Sequence, residues 1–233
     1  IDKHRPDVIS HLAAQSWPPY SMINPIHTIE VNTIGTLNVL EAVRIIKEID
    51  WQHLNDNKEG RTKIRDGYLG YNPLIHICSS SEFYGKISKE EIPITENTKA
   101  NPGNVYGVSK VGADFLAQLY SKYYDLRILI TRMFTHTGAN RTMMSAENYY
   151  AREVARCEKE NDNMIKIGDK TAMNSHRTWA DVRDAVKNYH TLFKNQKTGI
   201  YNISGETVKT IQEVLDYLVS ISKCKDKNMI YML

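Results

Sequence analysis

Two short stretches carry residues whose types and spacing could move protons. In Tyr106-Gly107-Val108-Ser109-Lys110 a tyrosine and a lysine stand at i and i+4, so on a helix they share one face. A phenol with a reference pKa near ~10 is a poor base at neutral pH, and a neighbouring ammonium group favours its ionised form. Such a pair can take a hydroxyl proton, although alone it is more often a surface pairing in a chain with 14 tyrosines. Upstream, Ser79-Ser80-Ser81-Glu82 follows a short apolar run. Hydroxyls at the end of a buried strand can bind a substrate oxygen, and a carboxylate beside them can move a second proton. The bland alternative is a polar turn with Glu82 in solvent.

The elements that must position these groups can be read from hydrophobic periodicity. Pro6 to Ala14 opens as a β-branched run that ends in small residues, which predicts a buried strand entering a loop. Helical spacing covers 28–49, and 50–71 reads as a polar surface insertion. Leu74 to Cys78 is a second strand, 93–104 is turn-rich, 105–124 is a helix, and Arg127 to Thr131 is a third strand. Helices over 147–160, 181–194 and 208–222 follow, with strands over 164–167 and 200–204 and the start of another at Tyr231. Alternating strands and helices predict a parallel sheet with helices on both faces.

Composition narrows the function classes. The 233 residues are 41% hydrophobic and 24% charged, which is ordinary globular usage. A net charge of +3, with both signs interspersed, gives no basic field for nucleic acid. Cys78, Cys157 and Cys224 form no CxxC pair, so neither a disulfide framework nor a metal site is expected. No apolar run is long enough for a membrane span, and a soluble cytoplasmic protein is the expectation. A glycine-rich phosphate turn is absent: no G-x-G-x-x-G or G-x-x-G-x-x-G occurs, and the first glycine is Gly35, inside a helical pattern.

Five segments in one order carry a resemblance. They are His11-Leu12-Ala13-Ala14-Gln15-Ser16, Ser79 to Gly85, Tyr106-x-x-x-Lys110, Arg132 to Gly138, and Arg177 to Asp184. The series resembles the extended short-chain dehydrogenase/reductase family and, within it, is most similar to the GDP-mannose 4,6-dehydratases. The likeness runs from Pro6 to about Ser222. It implies an α/β fold: a Rossmann-type doubly wound parallel sheet, incomplete at the N-terminus, with a smaller C-terminal substrate-binding part. The expected division is a dinucleotide-binding domain over 1–137 and 178–205 and a nucleotide-sugar part over 138–177 and 206–233. The family's first three strands and glycine fingerprint, roughly 65–80 residues, would lie outside this sequence.

By resemblance, Tyr106 would remove the C4 hydroxyl proton of GDP-mannose, and Lys110 would activate it and hold a ribose. Ser80 would bind the C4 oxygen and Glu82 would take the C5 proton, so that water leaves from C6. Leu12, Ala13, Ala14, Ser16, Phe134, His136 and Arg141 would join Tyr106 and Lys110 around NADP, with NAD as the alternative. Ser16, Ser81, Glu82, Thr135 and Arg177 would contact the sugar nucleotide, Arg177 at the diphosphate. Thr135 stands where the family more usually has Asn, and Asn101 to Tyr106 departs from its usual Pro-x-Ser-Pro-Tyr. Ala139-Asn140-Arg141-Thr142 departs from Pro-Arg-Arg-Gly. A homodimer or homotetramer is the family's usual assembly. The competing readings are a GDP-4-keto-6-deoxymannose reductase, a UDP-sugar 4-epimerase, and a truncated non-catalytic fragment.

Overall fold

The computed structural model describes residues 1–56, 70–139, 141, 145–167, 170–224 and 230–232. Strand β1 (Val8–His11) leads into α1 (Pro18–Ile23) and α2 (Pro25–Ile29), a π turn (Glu30–Ile34) and α3 (Gly35–Asp56). Then come β2 (Leu74–Ser80), a 3-10 turn (Ser81–Phe83), a second such turn (Lys89–Glu91), α4 (Val105–Tyr124) and β3 (Ile128–Met133). After β4 (His136–Thr137) the chain forms α5 (Ala146–Glu160), β5 (Met164–Lys166), α6 (Lys170–Met173), β6 (His176–Asp181) and α7 (Val182–Lys194). It finishes with β7 (Gly199–Ile203), β8 (Thr207–Thr210), α8 (Ile211–Ser220) and β9 (Ile230–Met232). No helix among the described residues is long and apolar enough to cross a membrane.

The chain divides into two compact units, 1–133 with 188–203, and 134–187 with 204–233. The first holds a four-stranded sheet, order β1-β2-β3-β7, parallel throughout. Its central strand β2 is almost wholly buried, which is why it reads as a continuous apolar run rather than an alternation. Ile75, Ile77, Ile128 and Ile130 point to one face and pack with Leu40, Val43 and Ile46 of α3 and Ala117 and Tyr120 of α4. Strand alternation turns His76 and Thr131 to the other face, where the rings of Tyr189 and Phe193 from α7 lie 4.7 and 5.2 Å from the His76 ring. Helices therefore cover both faces of a Rossmann-type sheet.

The second unit has its own core of Tyr150, Val154, Cys157, Ile165, Ile167, Met173, Ile211, Leu215 and Cys224. Its strands form a set β4-β6-β8 and a parallel pair β5-β9. Segments 134–137 and 178–187, expected with the dinucleotide part, fall in this unit.

Several boundaries differ from expectation. The helical stretch begins at two prolines, Pro18 and Pro25, each in the first turn of a helix, where the missing N–H costs nothing. Helix α3 continues to Asp56, so the expected loop starts later, and 57–69 lie outside the described residues. The final helix is shorter because Thr207–Thr210 pairs antiparallel with β6. Thr210 then caps α8 with Glu213 in a reciprocal capping box. Strand β6 itself escaped notice, since His176-Arg177-Thr178-Trp179-Ala180-Asp181 has no apolar alternation.

Candidate active site

The proton-moving candidates gather at the C-terminal end of β2, where the strand meets the start of α4. Ser80 is buried and caps the 3-10 turn, its Oγ accepting from the Glu82 amide at 3.2 Å. The turn brings Glu82 beside Asn104, whose Nδ2 donates to Oε2 at 2.9 Å. Asn104 is also the N-cap of α4: its Oδ1 accepts from Gly107 N at 2.8 Å. Helix and turn approach so closely that a Cβ on Gly107 would stand 2.8 Å from the Glu82 carbonyl oxygen. Gly85, at φ 62°, reverses the chain just beyond.

Tyr106 in the first turn of α4 donates its amide to Ser21 Oγ at 3.0 Å, and Ser21 in turn donates to the Pro18 carbonyl at 2.6 Å. Its phenol is pushed up to about 12, chiefly by burial, while a hydrogen bond with Ser80 pulls the other way. The neighbouring Glu82 charge adds to the rise. Lys110 lies one turn on, buried, with Nζ 5.8 Å from the Tyr106 ring centroid and donating to the Cys78 carbonyl at 2.8 Å. Burial holds its pKa below the usual lysine value. Burial is thus the largest influence on the phenol. One of the three ammonium donors is spent on Cys78.

Three residues that sequence reasoning passed over hold this arrangement. Asn32, buried in the π turn, accepts from Gln15 N at 2.8 Å and donates to Gln15 O at 2.9 Å and to Ser109 Oγ at 2.8 Å. It ties the loop after β1 to the helix that carries Tyr106 and Lys110. Ser21 satisfies an amide in the first turn of α4 from outside the helix. Arg132, 2% exposed, meets both Asp114 oxygens at 2.9 and 3.1 Å and donates to Tyr84 Oη and the Glu96 carbonyl. Its guanidinium sits 3.6 Å from the Phe83 ring centroid, bracing the turn that presents Glu82. The one available signal was polarity within apolar patterns, Asn32 in a helical run and Arg132 inside a strand.

The remaining candidates are more open. Leu12, Ala13 and Ser16 are exposed, and Ala14 and Ser81 are half-buried. His11, ahead of them, has its pKa lowered by burial and by Lys110, and its Nε2 is buried with no hydrogen-bond partner. Phe134, Thr135, His136, Arg141 and Arg177 belong to the second unit. There the His136 ring is bonded at 3.2 Å to the Phe134 carbonyl, and the Thr135 carbonyl accepts from Ala180 N at 3.1 Å. Arg141 pairs with Glu147 at 3.3 Å and donates to the His136 carbonyl. Arg177 is exposed on β6; Asn140 and Thr142 lie outside the described residues.

A parallel sheet covered on both faces, with a serine, a tyrosine and a lysine meeting at a strand end, defines a protein of the short-chain dehydrogenase/reductase type. The profile of the family described as GDP-mannose 4,6 dehydratase matches residues 1–229, and the chain belongs to that family. It is 26% identical over 220 residues to GDP-6-deoxy-D-mannose reductase of Pseudomonas aeruginosa, covering 94% of this chain and 64% of that protein. It is 28% identical over 221 residues to GDP-mannose 4,6 dehydratase 2 of Arabidopsis thaliana, covering 93% and 51%. Among solved structures, RMD from Pseudomonas aeruginosa, complexed with NADPH, superposes with a TM-score of 0.80 at 25% identity, covering 98% of this chain and 68% of that one. The chain thus spans between half and two thirds of the length of these curated relatives.

Proposed function

We propose that this chain carries the proton-transfer centre of a nucleotide-sugar 4,6-dehydratase that converts GDP-mannose to GDP-4-keto-6-deoxymannose. The observation that carries the reading is the close approach of the helix bearing the Tyr106 phenol to the turn bearing the Glu82 carboxylate: Asn104, two residues before Tyr106, donates to Glu82 at 2.9 Å, and a Cβ on Gly107 would stand 2.8 Å from the Glu82 carbonyl oxygen. A reductase or an epimerase needs one proton-transfer group at C4. Elimination across C5 and C6 needs a second, and Glu82 supplies it.

A nicotinamide dinucleotide, NADP with NAD as the alternative, fits the residues present. The orphaned His11 Nε2, the small side chains of Ala13 and Ala14, and the unspent donors of Lys110 all lie around the C-terminal end of β1 and β2. A bound nicotinamide would supply the acceptor for the C4 hydride and the donor that restores it at C6. Ser80 holds the C4 oxygen, and Tyr106 receives its proton. A phenol at about 12 is a reluctant acceptor, and the positive charge of an oxidised nicotinamide favours its ionised form. Glu82 would then take the C5 proton, acidified by the C4 ketone, and deliver it to the C6 hydroxyl, which leaves as water. When hydride returns at C6, C5 regains a proton from solvent through Glu82, and Tyr106 releases the C4 hydroxyl proton to solvent. Ser16, Ser81 and Thr135 are proposed sugar contacts; Arg177 is proposed for the diphosphate. Leu12, Phe134, His136 and Arg141 complete the cofactor set. The exposed apolar residues Val108, Phe115, Leu119 and Tyr123 along α4 support assembly as a homodimer or homotetramer. The three free cysteines agree with a reducing cytoplasm.

The test is incubation of the full-length protein with GDP-mannose and NADP⁺, following loss of one water by mass. Glu82→Gln is expected to abolish exchange of the C5 proton with solvent while sparing C4 oxidation. Full turnover by that variant ends the dehydratase reading. One observation favours a second reading: the relative covering 94% of the chain is a GDP-6-deoxy-D-mannose reductase. Consumption of NADPH with the 4-keto-6-deoxy sugar, without dehydration of GDP-mannose, is its signature.

A further inference from the structure

Asn104 uses both ends of one carboxamide, and the two ends touch different parts of the site. The orientation of the amide is fixed by chemistry. The Gly107 N–H can only donate and an ionised carboxylate can only accept, so the oxygen faces Gly107 at 2.8 Å and the nitrogen faces Glu82 at 2.9 Å. The first bond caps the helix that carries Tyr106 and Lys110. The second restrains the carboxylate on the turn after β2. Resting on the dehydratase reading, we infer that Asn104 is a positioning residue: it sets the spacing between the phenol-bearing helix and the Glu82 carboxylate and keeps that carboxylate aimed. It touches no reacting atom itself.

The chemistry favours this residue type at this place. Serine caps a helix equally well, but its single oxygen, once accepting from Gly107, has one hydroxyl proton left on a shorter arm. Aspartate caps equally well and has no donor at all; it would set a second negative charge against Glu82. The chain departs here from the more common Pro-x-Ser-Pro-Tyr by placing Asn104 two residues before Tyr106.

Two variants separate capping from positioning, because both preserve the cap. In the full-length protein, Asn104→Ser is expected to slow C5 proton exchange roughly 10- to 50-fold, with KM for the sugar nucleotide within about twofold. Asn104→Asp, which keeps the cap but has no donor for the carboxylate, is expected to slow exchange at least as much. Unchanged exchange in Asn104→Ser, with thermal stability intact, overturns the inference. A fall in stability that accounts for the whole loss of rate overturns it too. If Glu82→Gln leaves exchange untouched, the dehydratase reading fails separately. Crystal structures of the parent and Asn104→Ser then decide whether Asn104 holds Glu82: an unmoved carboxylate in the variant overturns the inference.

Discussion

The interiors of the two units are built differently. Among the described residues, every buried polar or charged side chain lies in the first unit: Asn32, His76, Ser79, Ser80, Ser109, Lys110, Asp114, Thr131 and Arg132 are among them. The second unit buries Tyr150, Val154, Cys157, Ile165 and Leu215 and keeps its charges outside, as in the Arg156 pairs with Glu153, Glu160 and Asp162. Helix α4 buries Ser109, Lys110 and Asp114 beside its core residues Ala113, Ala117 and Tyr120, and leaves Val108, Phe115, Leu119 and Tyr123 exposed. Burying a polar group costs stability unless it is bonded, and nearly all of these have named partners. A fold keeps that many matched pairs where it must hold chemical groups in place; elsewhere apolar packing suffices.

The sharpest break of this contrast lies at Arg132. Replacing it with methionine leaves Asp114, 0% exposed, as a buried uncompensated charge. The expected loss is about 3–5 kcal/mol, read by urea unfolding of the full-length protein. The double variant Arg132→Met/Asp114→Leu should recover much of it, because no charge then remains buried. A single variant that loses less than about 1 kcal/mol would show that the pair is slack and the contrast overstated. In the second unit the matching experiment is Leu215→Ala, fully buried between α8 and α5. A cavity there should cost about 3 kcal/mol through lost packing alone, with no dependence on pH.

His76 distinguishes the two interiors by acid. It is fully buried, with Nδ1 2.9 Å from Ser10 Oγ and Nε2 2.8 Å from Thr131 Oγ1. Burial, with a smaller push from His11, lowers its pKa to about 4. Between the unfolded value of ~6.5 and about 4, the unfolded chain binds a proton that the folded chain refuses. Stability from this group is therefore complete above ~6.5 and is lost as pH falls toward 4, by up to about 3 kcal/mol. Unfolding midpoints at pH 7 and pH 4.5 should converge in His76→Gln. If the variant shows the same acid loss as the parent, the titrating group is elsewhere.

The contrast also explains what was legible in the sequence. Helix α4 matches the expected span 105–124, because the turn-rich segment before it and the Leu, Ala and Tyr at helical spacing within it are local signals. The Ser80–Glu82 turn was found because it follows a run of Leu, Ile and Cys. Asn104, Asn32 and Ser21 were not found, for their partners lie 22, 77 and 85 residues away and nothing local marks which amide or hydroxyl they will meet. The π turn before Gly35 looked like continuous helix, since one wide turn leaves the apolar spacing nearly intact. Strands β6 and β8 were missed because a polar strand takes its conformation from its neighbour's hydrogen bonds, and Trp179 pairs with Thr207 across a gap of sequence.

The smallest expected effect tests the outer face of α4. Leu119 is 53% exposed, and a lysine there adds charge without opening a cavity. Folding stability should change by no more than about 0.5 kcal/mol. If the apolar stripe is an assembly surface, the same substitution should shift the full-length protein to a smaller species by light scattering, since an unpaired charge is costly within a buried interface. Polar groups inside and apolar groups outside then have one explanation: the helix serves the site with one face and a second copy with the other. A Leu119→Lys protein of unchanged mass would leave the inner face explained by the site and the outer face open to solvent.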